Sequence, residues 1–289
     1  FHGRQVVVCL SGGLDSSIVA YLAKQFLDQV SIVCFSYSDN LDAVSEWDRT
    51  DVPGLRGLSE DFRAALDVAN ALELRFDPVF RIRSDVSAAV PTAVSLCQDW
   101  RDFNVHCAIV NTFLAQEIRK IYPDEDVVVL TGDLMNEYLC DYREEIVDGE
   151  IYYPQPRLNL SQYRRFLVRG LDAGDREIGV FNHFGLPVCQ PYAGVGDLYM
   201  TVPSQILEET NCKEYLNGDL LPANVREMVN TKKTRAQVGG SDMGTLGVCH
   251  ALKYGSEEFL RIWSKEFPGE TVHSVQDLIS IGRYRMSTD

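Results

Sequence analysis

The chain has 289 residues, 45% of them hydrophobic and 24% charged, and carries a formal net charge of −15. That length buries a sizeable core, arranged as one large α/β domain or two small ones. The acidic balance excludes the positive footprint of a nucleic-acid binder, and no apolar run approaches the ~20 residues that cross a bilayer. No basic, apolar, then small-residue leader opens the chain.

Gln5-Val6-Val7-Val8-Cys9-Leu10 is a short apolar run and predicts a buried parallel strand. Ser11-Gly12-Gly13-Leu14-Asp15-Ser16-Ser17 follows, and Ile18 to Ala23 then has helical spacing. A strand feeding a glycine-rich turn and a helix is an anion site. Glycines let backbone N–H groups approach phosphate oxygens, and the helix start adds unpaired donors and a positive dipole end. Ser11, Ser16 and Ser17 add hydroxyl donors. Asp15 repels phosphate, so its carboxylate makes sense as a magnesium ligand.

Val30 to Phe35 predicts a second strand, and Asp39 to Leu58, with Pro53, Gly54 and Gly57, a loop. Ser59 followed by Glu60 and Asp61 opens a helix, with Phe62, Leu66, Ala69 and Leu72 on its apolar face. Glu73 to Phe76 enters a third strand, Val94 to Tyr122 is helical by pattern, and Asp126 to Leu130 is a fourth strand. This alternation predicts an α/β fold with a doubly wound parallel sheet. Leu158 to Phe184, Val202 to Tyr215 and Ala251 to Phe267 read as helices, so the expected organisation is a nucleotide-binding core over 1–150 and a mainly helical, substrate-side half over 151–289. The eight cysteines, at 9, 34, 97, 107, 140, 189, 212 and 249, form no C-x-x-C pair, which argues against zinc and dithiol chemistry and fits a reducing, cytoplasmic setting.

Thr131-Gly132-Asp133-Leu134-Met135-Asn136-Glu137 follows the fourth strand, where such sheets place ligand groups. Thr131 and Gly132 suit nucleotide contact. Asp133, Asn136 and Glu137 offer oxygens for a further magnesium contact.

The Ser-Gly-Gly-Leu-Asp-Ser-Ser loop resembles the signature of the N-type ATP pyrophosphatases, and it lacks the Gly-Lys-Ser/Thr of a Walker loop. The 131–142 segment, Arg165 to Asp172, Gly185 to Tyr192, Leu221-Pro222, Thr231-Lys232-Lys233 and Gly239-Gly240 resemble, in order, the motifs of asparagine-synthetase-type synthetase domains. The resemblance spans roughly residues 4 to 250 and implies an adenine nucleotide α-hydrolase-like fold. It implies ATP and Mg2+ as cofactors, adenylation of a carboxylate with release of pyrophosphate, and acyl transfer to ammonia or a small amine in a specialised biosynthetic pathway. By position, Leu10, Ser36, Tyr37, Thr131 and Gly132 would line the adenine and ribose. Ser11, Gly12, Gly13, Asp15, Ser16 and Ser17 would hold the pyrophosphate end. Asp15, Asp133 and Asn136 would face magnesium. Lys233, six residues before Gly239, would be the catalytic lysine, with Lys232 as the competing register.

Three residues depart from the family pattern. Asn136 stands at an aspartate position, Pro187 at a glutamate position and Cys189 at an arginine position. Losing the glutamate argues against the intramolecular amide formation of the β-lactam synthetases, or moves the general base elsewhere, with His106, His183 and Glu137 as candidates. The family's glutaminase domain is absent from this sequence, so nitrogen would come from solution, from a glutaminase or carrier partner, or from an upstream domain. The expected partners are small molecules, with no nucleic acid and no membrane. Two readings compete with the synthetase: a non-catalytic nucleotide-binding subunit, and a sulfur-inserting or GMP/NAD-type enzyme built on the same loop.

Overall fold

The computed structural model describes residues 1, 3–38, 59–100, 102–140, 145–147, 150–152, 162, 164, 175–208, 212–230 and 256–269. The described strands are Gln5–Cys9 (β1), Val30–Tyr37 (β2), Arg75–Arg81 (β3), Val127–Leu130 (β4), Glu145–Val147 (β5), Glu150–Tyr152 (β6) and Val188–Cys189 (β7). One sheet runs in the order β3-β2-β1-β4-β7 with every pairing parallel, and β5 and β6 form a separate antiparallel pair. Val6, Val7 and Val8 are fully buried, as a central strand covered on both faces requires. All four residues of β4 are buried as well.

The long helices are Leu14–Phe26 (α1), Glu60–Ala71 (α2), Arg83–Cys97 (α3) and Asp102–Ile121 (α4). α1 packs on β1 and β2, while α2 and α4 pack on β2 and β3, giving the doubly wound α/β fold. Ser59 is the N-cap of α2, and its hydroxyl accepts from the Phe62 N–H at 3.2 Å. Ser36 Oγ donates to the same hydroxyl at 3.1 Å and accepts from the Ser59 N–H at 3.3 Å, so the end of β2 and the start of α2 are tied together. Ser59→Ala removes the cap and strips Ser36 of its buried acceptor. The expected loss is about 1–2 kcal/mol, read as a lower midpoint of chemical unfolding.

Three elements differ from the expectation. The helix expected over 94–122 is two helices, because Gln98 takes a left-handed conformation (φ 51°) at the end of α3. Just beyond it, the Asp99 carboxylate accepts from the Trp100 N–H at 2.7 Å and from Asn104 Nδ2, turning the chain into α4. The third strand starts at Arg75 rather than Glu73, which has φ 51°, and it contains Pro78. Proline is tolerated there because β3 is the edge of the sheet. β7 is a strand of only two residues between Pro187 and Pro191, too short to show alternation.

The chain divides into two compact units, each assembled from three stretches. The first comprises Phe1–Gly132, Ala173–Pro191 and Leu220–Glu266; the second comprises Asp133–Asp172, Tyr192–Asp219 and Phe267–Asp289. The helix Ser256–Glu266 closes the first unit by packing on α3, with Phe259 fully buried and Trp263 Nε1 donating to Gln98 O at 3.2 Å. In the second unit the buried Arg164 donates Nη1 to Tyr199 O (3.1 Å) and Val202 O (3.0 Å), and Nη2 to Met200 O (3.0 Å). One guanidinium thus satisfies the carbonyls at the end of the helix Gly196–Met200. Among the described residues, no helix is long and apolar enough to cross a membrane.

Candidate ATP site

The site builds from the carboxyl end of β1. Leu10, 2% exposed, donates its N–H to Val33 O at 3.0 Å and holds the chain to β2 for one residue past the strand. The chain then turns at Gly12, whose φ of +75° is left-handed. Inside the turn Ser16 Oγ donates to Gly13 O (3.3 Å), and the Ser11 and Ser16 hydroxyls are 3.2 Å apart. The Ser11 N–H donates to Ser16 Oγ at 3.2 Å, so the loop is braced by its own side chains. Helix α1 begins at Leu14 with Gly13 as N-cap, and no side chain caps its first N–H groups. A 13-residue helix with an uncapped start directs N–H donors and the positive dipole end into the loop.

Neighbouring strands complete the edge. β2 runs on to Tyr37, four residues past the register partner of Cys9, and ends with Ser36 and Tyr37 fully buried. After β4, Thr131 is 6% exposed and Gly132 lies against the first turn of α1. A Cβ on Gly132 would stand 2.7 Å from Ser16 N, so only glycine fits there. The hydroxyls of Ser17 and Thr131 are buried without a hydrogen-bond partner among the described residues. Buried hydroxyls ordinarily find partners, so one in the first turn of α1 and one just past β4 suit polar ligand atoms. Ser36 is different, because its hydroxyl already pairs with Ser59.

Asp15 stands in the first turn of α1, with its Oδ1 buried. Asp133 and Asn136 belong to the second unit. There Asn136 is 7% exposed and its Oδ1 accepts from Lys213 Nζ at 2.8 Å. Among the described residues no group of three His, Cys, Asp or Glu side chains could hold a metal ion. Lys232, Lys233, Gly239 and Gly240 lie outside the described residues, as does the loop expected over 39–58. The last described residue before the lysines is tied to the loop: the Asn230 N–H donates to Gly12 O at 2.9 Å and Asn230 forms a parallel bridge with Gly13.

The three candidate bases divide by location. His106 meets the edge of the Phe259 ring at 5.8 Å in the helical layer, His183 lies beside Phe184 at 5.0 Å, and Glu137 is fully buried in the second unit. Sequence reasoning missed another buried carboxylate. Glu177 is 3% exposed on a wide helical turn, Asp175–Gly179, and accepts from Gln190 Nε2 at 2.6 Å at the carboxyl end of β7. Arg119 positions that strand by donating to Phe184 O (3.1 Å) and Gly185 O (2.8 Å). The charged run Asp175-Arg176-Glu177 leading into the apolar positions Ile178, Val180 and Phe181 was the available signal. Burial, with the charge of Glu177 added, pushes the Cys9 thiol up. Burial likewise raises Cys34 and Cys189, and raises Cys140 to about 12.

This fold and loop define a nucleotide-binding α/β protein with a phosphate loop of the N-type ATP pyrophosphatase kind. A sequence profile of asparagine synthase matches residues 2–150, just over half of the chain, and the chain belongs to that family. It is also 24% identical over 172 residues to the tRNA-specific 2-thiouridylase MnmA of Chlamydia abortus (strain DSM 27085 / S26/3). That match takes in 58% of this chain and 39% of the relative, so the chain spans well under half the length of that protein. Among solved structures, the NMN synthetase from Francisella tularensis aligns over 78% of this chain and 82% of its own, with 15% identity and a TM-score of 0.32.

Proposed function

We propose that the chain is an AMP-forming carbon–nitrogen ligase, which adenylates a carboxylate and transfers the acyl group to ammonia or a small amine. The observation that carries the reading is the pairing of an uncapped α1 start with the two unpartnered buried hydroxyls, Ser17 and Thr131. Backbone donors, a dipole end and the Ser17 hydroxyl match the phosphates of ATP, and the Thr131 hydroxyl suits a polar atom on the adenosine side. Leu10, Ser36, Tyr37, Thr131 and Gly132 form the adenosine side, and Ser11 to Ser17 hold the pyrophosphate end.

In the first step a carboxylate oxygen attacks the α-phosphorus of ATP. The bond to the α–β bridging oxygen breaks, and pyrophosphate leaves with the electron pair. In the second step the amine attacks the acyl carbon, AMP leaves, and the nitrogen gives up a proton to a base. The loop N–H groups stabilise the charge of the departing pyrophosphate. Magnesium, when bound, neutralises phosphate charge, and the buried Asp15 oxygen inside the loop has the chemistry to hold it. Lys233 is the residue proposed to meet the charge developing on the α-phosphate. Its link to the loop supports this: it stands three residues beyond Asn230, a span of at most about 11 Å of extended chain.

The competing sulfur-inserting reading is disfavoured by the thiols. None of the eight cysteines stands in a C-x-x-C pair, the spacing that dithiol sulfur chemistry favours. The net charge of −15 likewise disfavours an RNA substrate.

Screening carboxylic acids for ATP–pyrophosphate exchange identifies the substrate before the nucleophile is known. Chromatography of the spent nucleotide then decides the reaction class. AMP and pyrophosphate are the expected products, and ADP as the main product overturns the proposal.

A further inference from the structure

Gln190 stands one residue past β7, at the carboxyl edge of the sheet and within the first unit. The Thr131 N–H donates to Cys189 O at 3.3 Å, and Leu130 pairs with Cys189, so Thr131 and Gln190 take the next position of that register. Val8 pairs with Leu130, which puts Cys9 at the same position on β1. Parallel partners turn their side chains to one face of a sheet, so Cys9, Thr131 and Gln190 form a row. Glu177 lies against that row: it accepts from Gln190 Nε2 at 2.6 Å, and its charge is felt at the Cys9 thiol. The turn that carries it is held by Asn111 Nδ2, which donates to Arg176 O at 2.9 Å.

An ionised carboxylate only accepts, so Glu177 binds the NH2 end of the Gln190 carboxamide and turns its oxygen the other way. Gln190 is half-buried, and its Oε1 meets no donor among the described residues. The result is an acceptor of fixed direction beside Thr131. A ligand group that meets it must carry an N–H or O–H, and ionised carboxylates and phosphates have no hydrogen to give. In the proposed reaction the amine is such a group, and adenosine already has Ser36, Tyr37 and Thr131.

We propose that Gln190 receives the acyl acceptor: its Oε1, fixed in direction by Glu177, accepts an N–H of the incoming ammonia or small amine. Glu177 is a positioning residue, and Gln190 is the contact that selects an N–H nucleophile. This deepens the ligase reading and rests on it for the substrate. Its test therefore separates use of the amine from formation of the adenylate.

The experiment uses the full chain at saturating ATP with the carboxylate found by exchange, and ammonium chloride and methylamine as amine probes. Amide formation is followed against amine concentration, beside ATP–pyrophosphate exchange, which needs no amine. Gln190→Met keeps the side-chain length and removes the oxygen. It is expected to raise the half-saturating amine concentration by about 10–100-fold, the usual cost of one hydrogen bond to a charged donor. Glu177→Gln is expected to raise it by about threefold to tenfold, because residue 177 can then donate as well as accept and the Gln190 amide turns over. Swapping the pair, Glu177→Gln with Gln190→Glu, puts a carboxylate oxygen in the place of Oε1 and is expected to bring half-saturation back to the wild-type concentration or below it.

An unmoved half-saturating amine concentration in folded Gln190→Met overturns the proposal, including where exchange and amide formation fall together, which is the mark of a purely structural role. A rise in the ATP concentration needed for exchange, in place of the amine's, overturns it by assigning Gln190 to adenosine. Where Gln190→Met fails to fold by circular dichroism, the swapped pair and Glu177→Gln decide, and a swapped pair that stays well above wild type overturns it. Exchange in wild type without amide formation from either probe overturns it as well, because the site then takes neither amine. If wild type shows no exchange with any carboxylate, the ligase reading itself fails and this inference falls with it.

Discussion

Lys233→Ala is expected to lower turnover by about 10²–10³, the usual cost of deleting one preorganised charge at a developing anion. Charge builds on the α-phosphate as the carboxylate attacks, and again on the acyl oxygen as the amine attacks. A positioned ammonium strengthens its contact only as those charges form, so kcat falls while ATP affinity is less affected. Lys232→Ala is expected to change turnover by less than about tenfold, since a lysine outside the transition-state contact contributes only to the general field. Both variants are assayed at saturating ATP with the carboxylate found by exchange. An inactive Lys232→Ala beside an active Lys233→Ala shifts the register by one residue. Unchanged turnover in both removes the lysine from the mechanism and favours a nucleotide-binding subunit without catalysis.

Gly12→Ala is expected to cost about 2–5 kcal/mol of stability and to abolish nucleotide binding. About 1–2 kcal/mol comes from a side chain forced to φ > 0, and about 1–3 kcal/mol from overpacking. The overpacking is specific: a Cβ on Gly12 would stand 2.6 Å from both Ala64 C and Ala65 N, which are backbone atoms of α2. Helix α2 cannot give way easily, because Ser59 ties its start to β2 and the fully buried Phe62 packs against Phe76 at 5.3 Å and Phe80 at 5.1 Å. Gly3→Ala is the control. Gly3 has nearly the same φ, +78°, but nothing lies within 4 Å of its would-be Cβ. It is expected to show the conformational cost of about 1–2 kcal/mol alone. Chemical unfolding of the three proteins separates strain from contact, and equal midpoints for the two variants would show that α2 yields at no cost.

The phosphate loop was legible because its physics is local. Strand, turn and helix start lie within a dozen residues, and glycine, serine and aspartate are read in the order in which they act. Ser59 as a helix cap was legible for the same reason. The break at Gln98 was not, because the pattern of apolar residues continues across it while a left-handed residue and the Asp99 carboxylate decide the turn. β7 escaped notice because two residues carry no periodicity, and its partner in the sheet is nearly sixty residues away.

By itself, the sequence determined the fold class, the phosphate loop and the family, because each is encoded in short stretches whose neighbours in space are neighbours in the chain. The tertiary structure decided what depends on remote segments meeting. It interleaves the chain into two units, buries Arg164 under three carbonyls some 35 residues on, and brings Asn230 to Gly12. It also seats an ammonium on Asn136 from 77 residues away. No local pattern carries such contacts, since their partners are chosen by packing and by the cost of leaving buried polar groups unpaired.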